Sequence, residues 1–437
     1  MTINSSTSPE INTQHHPRFL KWVICFSASL FFLYDFIQMS MMNAIHDTLQ
    51  STFALTDTQF GLLSSYYNFA TVAFLLPCGA LLDRFSARKI LLFAMMLCVI
   101  MTFALSQATA FEHIVICRIL VGATGAFCFL SAVVLCSRWF PSTQMGLVSS
   151  LIVSMAFLGG YLANGPFHYM LNNIGLNWQQ AVFYDACLGV VLWLIMFFVL
   201  KDTPQHKYLK PEAQSQSLKA TLNAFKKAGS NPQNWKCGLY TSLMNIYIFV
   251  MAATWGKVVL TQLHGLSDAQ ALSCTGIIFI GAILGGPMIG RLSDHLALRK
   301  MPMQWGALVS LGLSLLLMVQ WGSMFSIDTT YWIIKSTCFL IGVTTCAQIL
   351  SYPMIIESNP SDIVGTSESI SSILIMGIGA MSLPLFGWVL DHPFTPLLYW
   401  LNNYQQAYLL IPITFVLAWF ITLKLRETYG KPFSSHP

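Results

Sequence analysis

Leu55-Thr56-Asp57-Thr58-Gln59 returns as Leu266-Ser267-Asp268-Ala269-Gln270, and the same offset of 211 residues, with no gap, lays Gly79 on Gly290, Asp83 on Asp294, Arg88 on Arg299 and Lys89 on Lys300. Chance matches rarely hold one register over so long a stretch. A second pairing, offset by 226, sets Trp178-Gln179-Gln180-Ala181 against Tyr404-Gln405-Gln406-Ala407, and the apolar runs that follow end in Asp202-Thr203 and Glu427-Thr428. The chain therefore reads as two copies of one unit in the same orientation. Parallel repeats related by an axis along the membrane normal, with a binding site at their interface, are the construction of one class of secondary transporter.

Composition says what the unit is made of. Of 437 residues, 55% are hydrophobic and 9% are Asp, Glu, Lys or Arg, with mean hydropathy +0.62. Soluble domains carry about 25% charged residues, so a water-exposed surface cannot be built from these. A helix crossing a bilayer needs about 20 apolar residues, and the continuous runs here match that rather than the roughly ten-residue alternation of a membrane β-barrel. Twelve spans are read. The first six are Phe19 to Met42, Thr58 to Leu82, Ile90 to Thr109, His113 to Ser137, Met145 to Leu171 and Ala181 to Leu200. The second six are Cys237 to Leu263, Ala269 to Leu292, Gln304 to Phe325, Thr329 to Ile356, Val364 to Leu390 and Tyr404 to Leu425. The expected fold is all-α and integral to the membrane, with twelve transmembrane helices in two pseudo-symmetric six-helix halves, 19–200 and 237–425. A linker, 201–236, joins them, and 1–18 and 426–437 are tails. The linker segment Ser217 to Ala228, SLKATLNAFKKA, suits a short amphipathic helix on the membrane surface.

The net charge of +5 comes without clusters of Lys and Arg interleaved with stacking aromatics, so nucleic acid is not an expected partner. Topology accounts for the excess. With a cytoplasmic N-terminus, 19 of the 22 cations fall in cytoplasmic tails, loops or helix ends, which also places the linker and the C-terminus in the cytoplasm. Residues 1 to 17 are polar and lack an apolar centre with a cleavage signal, so the first helix itself should direct insertion, and a bacterial inner membrane is the expected site. The eleven cysteines, odd in number and without metal-ligand spacing, read as small core hydrophobes, and no metal or cofactor is expected. No Walker loop, zincin or serine-nucleophile motif is present, which argues against an ATP-driven pump and against an enzyme.

Gly79-Ala80-Leu81-Leu82-Asp83-Arg84-Phe85-Ser86-Ala87-Arg88-Lys89 lies between the second and third spans, and its copy, Gly290 to Lys300, keeps Gly290, Asp294, Arg299 and Lys300 but has His295 in place of Arg84. This segment resembles the loop signature of the major facilitator superfamily, and the resemblance extends over nearly the whole chain. Ser86 and Ala87 stand where that family usually has glycine and arginine. A glycine allows close helix approach, and an aspartate can accept at a helix N-terminus or pair with a guanidinium. The loop is thus expected to latch the cytoplasmic side in one conformation, against the plainer reading of Arg84, Arg88 and Lys89 as topology anchors.

Arg118-Ile119-Leu120-Val121-Gly122-Ala123-Thr124-Gly125-Ala126 resembles the family's fourth-helix motif of an arginine followed by small residues. An unpaired charge at that depth costs at least about 2.5 kcal/mol. Asp35 in the first span lies at matching depth by helix rise, which makes it the natural partner, with Asp185 as an alternative. Asp35 and Arg118 are expected either as a permanent structural pair or as a site where Asp35 takes a proton or a substrate cation. The family resemblance implies that helices 1, 4, 7 and 10 line a central cavity, and Asp35, Arg118, Lys257 and Lys335 fall one on each. Lys335, and by one reading Lys257, snorkels to the interface. Tyr34, Tyr66, Tyr67, Asn68, Asn245, Trp255 and Gln348 are candidate contacts in the same cavity or, more plainly, helix-packing residues.

The expected function is a secondary active transporter, working by alternating access as a monomer, for a small polar organic solute: an amino acid, a short peptide or an organic anion. Coupling to protons, as a symporter, goes with that reading. Tyr34-Asp35 is loosely similar to the lysosomal dipeptide-carrier branch, which leaves a facilitative dipeptide uniporter as an alternative. The fifth span has Gly165-Pro166 followed by Phe167-His168-Tyr169 and fails the pattern of proton-driven drug antiporters, which lowers but does not remove an exporter of drugs or siderophores. A non-transporting membrane receptor is the alternative from another class.

Overall fold

The computed structural model describes residues 18–140, 144–172, 174–202, 218–360, 363–394 and 400–429. Most of both tails, the linker up to 217, and the side chains of Asp83 and Arg84 lie outside the described residues. Among the described residues, counting each kinked rod once, twelve rods follow one another with a linker helix between the sixth and seventh. They are α1 (Arg18–Phe53), α2 (Asp57–Arg84), α3 (Ala87–Ser106), α4 (Phe111–Ser137), α5 (Met145–Asn164, continued by Pro166–Asn172) and α6 (Trp178–Val199). A linker helix, Leu218–Ser230, covers most of the segment expected to be amphipathic. The second six are α7 (Pro232–Ala252 with Gly256–His264), α8 (Asp268–Leu296), α9 (Lys300–Leu316), α10 (Ile327–Glu357), α11 (Val364–Asp391) and α12 (Asn403–Leu423). Nine of these are long and apolar enough to cross a membrane, and the bent α7 makes ten. The shorter α9 and the helix α2 fill the remaining places in order.

The sequence repeats turn out to be helix starts. Thr56 and Gln59 form a capping box on α2, and Ser267 and Gln270 form the same box on α8. Asn177 with Gln180 and Asn402 with Gln405 do so for α6 and α12. Each box satisfies two of the N–H groups that a helix leaves unpaired at its start, so both copies keep it. The acids ending the second repeat also cap helices. Asp202 accepts from the Arg88 N–H (3.2 Å) and the Ser86 hydroxyl at the start of α3, and Glu427 accepts from the Arg299 and Lys300 N–H groups (both 2.8 Å) at the start of α9.

α1 runs eleven residues past the expected end at Met42, because the polar residues that end the apolar run still continue the helix. All but one of the cysteines are buried and all are free, as expected of core residues.

The two halves meet at one end of the bundle. The end carrying the α2–α3 and α8–α9 loops is called the basic end, the other the far end. At the far end α2 lies against α11: Asp391 accepts from the Thr58 N–H (2.8 Å) and hydroxyl (2.5 Å), and the Ser65 hydroxyl donates to the Ala380 carbonyl (2.6 Å). A Cβ on Gly61 would strike the Leu383 and Pro384 backbone, and one on Gly387 the Asp57 carbonyl, so only glycine permits this approach. α5 meets α8 in the same way, with Gly160 flat against the Phe279 ring.

Candidate functional site

Inside the first half, α1, α2 and α4 enclose Asp35, Tyr67 and Arg118, buried to 3%, 3% and 1% exposure. The close approach is built by the small residues of the fourth-helix motif. A Cβ on Gly122 would run into the Tyr67 backbone, and one on Gly125 would press on the Asp35 carboxylate and the Tyr67 hydroxyl. Arg118 lies over the Tyr67 ring (5.0 Å to the centroid) and donates through Nη1 to the Gln38 carbonyl at 2.8 Å. The expected Asp35–Arg118 ion pair is not made. Tyr67 reaches both side chains, and Asp35 faces the Tyr67 hydroxyl and the Cys128 thiol instead. Arg118 Nε and Asp35 Oδ1 have no hydrogen-bond partner.

Asp185 does not pair with Arg118 either. It accepts from the Gln38 side-chain amide, whose carbonyl oxygen in turn accepts from Thr102 (3.2 Å), and Tyr34 donates to the Asp185 main chain at 3.4 Å. Gln38 thus touches Arg118 with its backbone and Asp185 with its side chain. Position alone gave no signal for Gln38 in sequence.

The other expected residues stand apart from one another. Asn245 of α7 donates to the Gln348 side chain of α10. Asn68 is buried with its side-chain oxygen unpartnered. Lys335 sits two turns into α10, where it donates to the Tyr331 hydroxyl (2.8 Å) and lies over the Trp332 ring. Lys257 and Trp255 stand elsewhere, at the far-end junction. Lys257, 3% exposed, does not snorkel freely; it pairs with Asp47 of α1 at 2.5 Å and approaches Asp268 of α8 at 3.6 Å. Trp255 packs on His46 and Phe60 of the first half and on Phe386. His46 and Asp47 lay in the stretch of α1 beyond the expected span, which hid them.

At the basic end the signature side chains Arg88, Asp294 and Arg299 find their partners within their own halves. Arg88 donates to the Phe197 carbonyl, and Arg138 pairs with Asp202 (3.0 Å). Arg299 pairs with Asp294 (2.6 Å) and Glu357 (2.9 Å). A Cβ on Gly79 or Gly290 would meet nothing within 4 Å, so the expected close approach at these glycines is not made in this conformation. Among the described residues no group of side chains has the make-up of a metal site.

Residues 25–384 match the model of the Major Facilitator Superfamily, and the chain belongs to that family. Curated relatives include an uncharacterized transporter, YybO, of Bacillus subtilis (21% identical over 63% of this chain) and the hexuronate transporter of the same organism (25% over 60%). The matches span 65% and 61% of the lengths of those two relatives. A putative tartrate transporter of Agrobacterium vitis is 22% identical over 79% of this chain and 81% of its own. Among solved structures, a D-xylose-proton symporter superposes with TM-score 0.72 at 14% identity, covering 94% of this chain and 99% of its own. A bacterial homolog of the human lysosomal transporter Spinster gives 0.63 at 16%, covering 94% and 96%. These relatives are named as transporters, in keeping with the lack of enzyme motifs.

Proposed function

We propose that this protein is a secondary transporter that carries a small carboxylate-bearing solute together with protons, by alternating access, and that it stands here closed at the far end. The carrying observation is Arg118: a fully buried guanidinium with five donors, one carbonyl partner, and no carboxylate in ion-pair contact. A buried cation left without an anion is costly, and a solute carboxylate supplies the missing partner. The names of the relatives, which include transporters for hexuronate, galactarate or glucarate, sulfoacetate and tartrate, favour an organic anion among the solutes the sequence left open.

Coupling follows from Coulomb's law in a poorly screened site. Tyr67 links Asp35 to Arg118. An anion on Arg118 removes the positive field felt by Asp35, so anion binding there and proton binding at Asp35 reinforce each other, as linkage requires. Movement is assigned to rocking of residues 19–200 against 237–425, which opens the far end and brings Gly79 and Gly290 into contact. The excess of cations supports a cytoplasmic basic end, and the reading takes the monomer in a bacterial inner membrane as the working unit.

The test is uptake into proteoliposomes of hexuronates, aldarates, tartrate, amino acids and dipeptides, with and without an acid-outside gradient. Uptake of one of the acids, accelerated by the gradient and lost in Arg118→Gln, is the expected result. Uptake of dipeptides alone, indifferent to the gradient and to Arg118→Gln, would replace this reading with the uniporter.

A further inference from the structure

Two polar groups at the far-end junction are buried and have no hydrogen-bond partner among the described residues: Nε2 of His46 and Nε1 of Trp255, in residues 2% and 0% exposed. Native proteins leave few buried polar atoms in that condition, and each needs an occupant or a role.

Their chemistry is complementary. His46, on α1, sets Nδ1 2.7 Å from the Asp47 carboxylate, which can only accept, so Nδ1 carries the proton and Nε2 of the neutral ring presents a lone pair. Trp255, in the turn between the two segments of α7, can only donate. The two rings lie 5.2 Å apart, and both rest on Phe60 of α2, at 4.4 and 5.2 Å. Phe386 of α11 packs on the indole at 5.5 Å. Neither phenyl ring has a polar atom to offer, so an acceptor and a donor, one from each half, stand together unanswered. Further groups of the same kind lead from them toward Arg118. On α2, Ser64 Oγ and Asn68 Oδ1, in residues 3% and 1% exposed, also lack partners, and they lie one and two turns beyond Phe60. Tyr67, which carries Arg118 on its ring, is roughly 10 Å along α2 from Phe60 by helix rise.

We infer that His46 and Trp255 bind a hydroxyl group of the solute, so that the solute is a hydroxy acid with its carboxylate on Arg118 and a hydroxyl at the far-end junction; this deepens the reading of Arg118 above and rests on it. A hydroxyl gives its proton to Nε2 and accepts from Nε1–H, which satisfies both groups at once. A carboxylate has no proton to give His46, and an ammonium has no lone pair for Trp255. Sites that hydrogen-bond a hydroxyl reject the analogue lacking it, because their buried groups then stay unpaired.

The experiment challenges uptake of the acid carried in the assay above with two matched pairs of competitors, galactarate against adipate and tartrate against succinate, each pair differing only in hydroxyls. The unaltered protein should prefer the hydroxylated member of at least one pair about 100-fold or more. Trp255→Phe keeps a ring on Phe60 and Phe386 but removes the donor, and His46→Phe removes the acceptor; each should lower that preference about fivefold to tenfold. Since both groups serve one hydroxyl, the double variant should lose little more than either single one. The preference is a ratio read within one preparation, so a smaller folded fraction cancels from it, and thermal-shift titration of the purified protein with the same four acids reads it where uptake is too slow. A preference absent from the unaltered protein, or unchanged in both single variants, overturns the inference and leaves Arg118 as the carboxylate site; a bound water on His46 and Trp255 predicts that unchanged ratio. If no acid is carried, or uptake ignores Arg118→Gln, the reading of Arg118 falls and the hydroxyl site with it.

Discussion

The two ends of the bundle use the same kinds of residue in opposite ways. At the far end glycines are filled: Gly61 lies on Leu383, Gly387 on Asp57 and Gly160 on Phe279, each across the line between the halves. At the basic end Gly79, on the same helix as Gly61, and Gly290 face open space. Charges differ likewise. Asp391 and Asp47 reach across to the opposite half, whereas Asp202 and Glu427 cap helices of their own half and Arg299 is held by Asp294 and Glu357. Closure is thus made by backbone contact at small residues with carboxylates over helix starts. At the basic end Arg88, Arg138 and Arg299 find their side-chain partners within their own halves.

The largest expected effect lies between the two ends. Arg118→Gln should cut solute uptake at least about 100-fold, the scale for removing one partner of a buried charge pair, and Arg118→Lys should not restore it, because an ammonium lacks the planar fork. Uptake assays on protein shown to be folded decide this.

Next come two glycine substitutions that set the ends against each other. Gly61→Leu should prevent far-end closure and Gly79→Leu basic-end closure, each lowering transport about 10- to 100-fold on the usual cost of overpacking. Labelling should separate them, with the far end of Gly61→Leu reactive and that of Gly79→Leu protected. Equal protection in both would remove the distinction between the ends.

Asp35→Asn should abolish accumulation driven by a proton gradient while solute exchange continues, since exchange needs no net proton movement. Failure of both activities, rescued by adding Arg118→Gln, would instead make the pair structural despite the lack of direct contact. The smallest effect is expected for Lys257→Met. Asp47 is 58% exposed, so its pairing with Lys257 is screened and worth at most about 1 kcal/mol, and uptake should change less than about fivefold.

Much of this arrangement was legible in the chain. The repeats gave two copies because Thr56, Ser267, Asn177 and Asn402 must each start a helix, a local requirement that leaves a local pattern. Arg118 and Asp35 stood out as charges in apolar runs. Their separation by Tyr67 did not, since depth along a helix carries no information about rotation around it. His46 and Asp47 were missed because α1 continues after its hydropathy falls. The break in α7 lies in an apolar run, and its bonding partners, Asn43 and Asn164, are 214 and 88 residues away in sequence. Such contacts exist only once the halves have met.

By the proposed mechanism the two ends exchange open and closed states as one motion. Distance measurements on the far-end pair Ser51 and Thr329 and on a basic-end pair at Lys89 and Lys424 test it in the same protein, with and without transported solute. Without solute the far-end pair should be short and the basic-end pair long; with solute a second population should appear in which the far end is long and the basic end short, in equal proportion. Distances that stay fixed, or ends that open independently of each other, would contradict it.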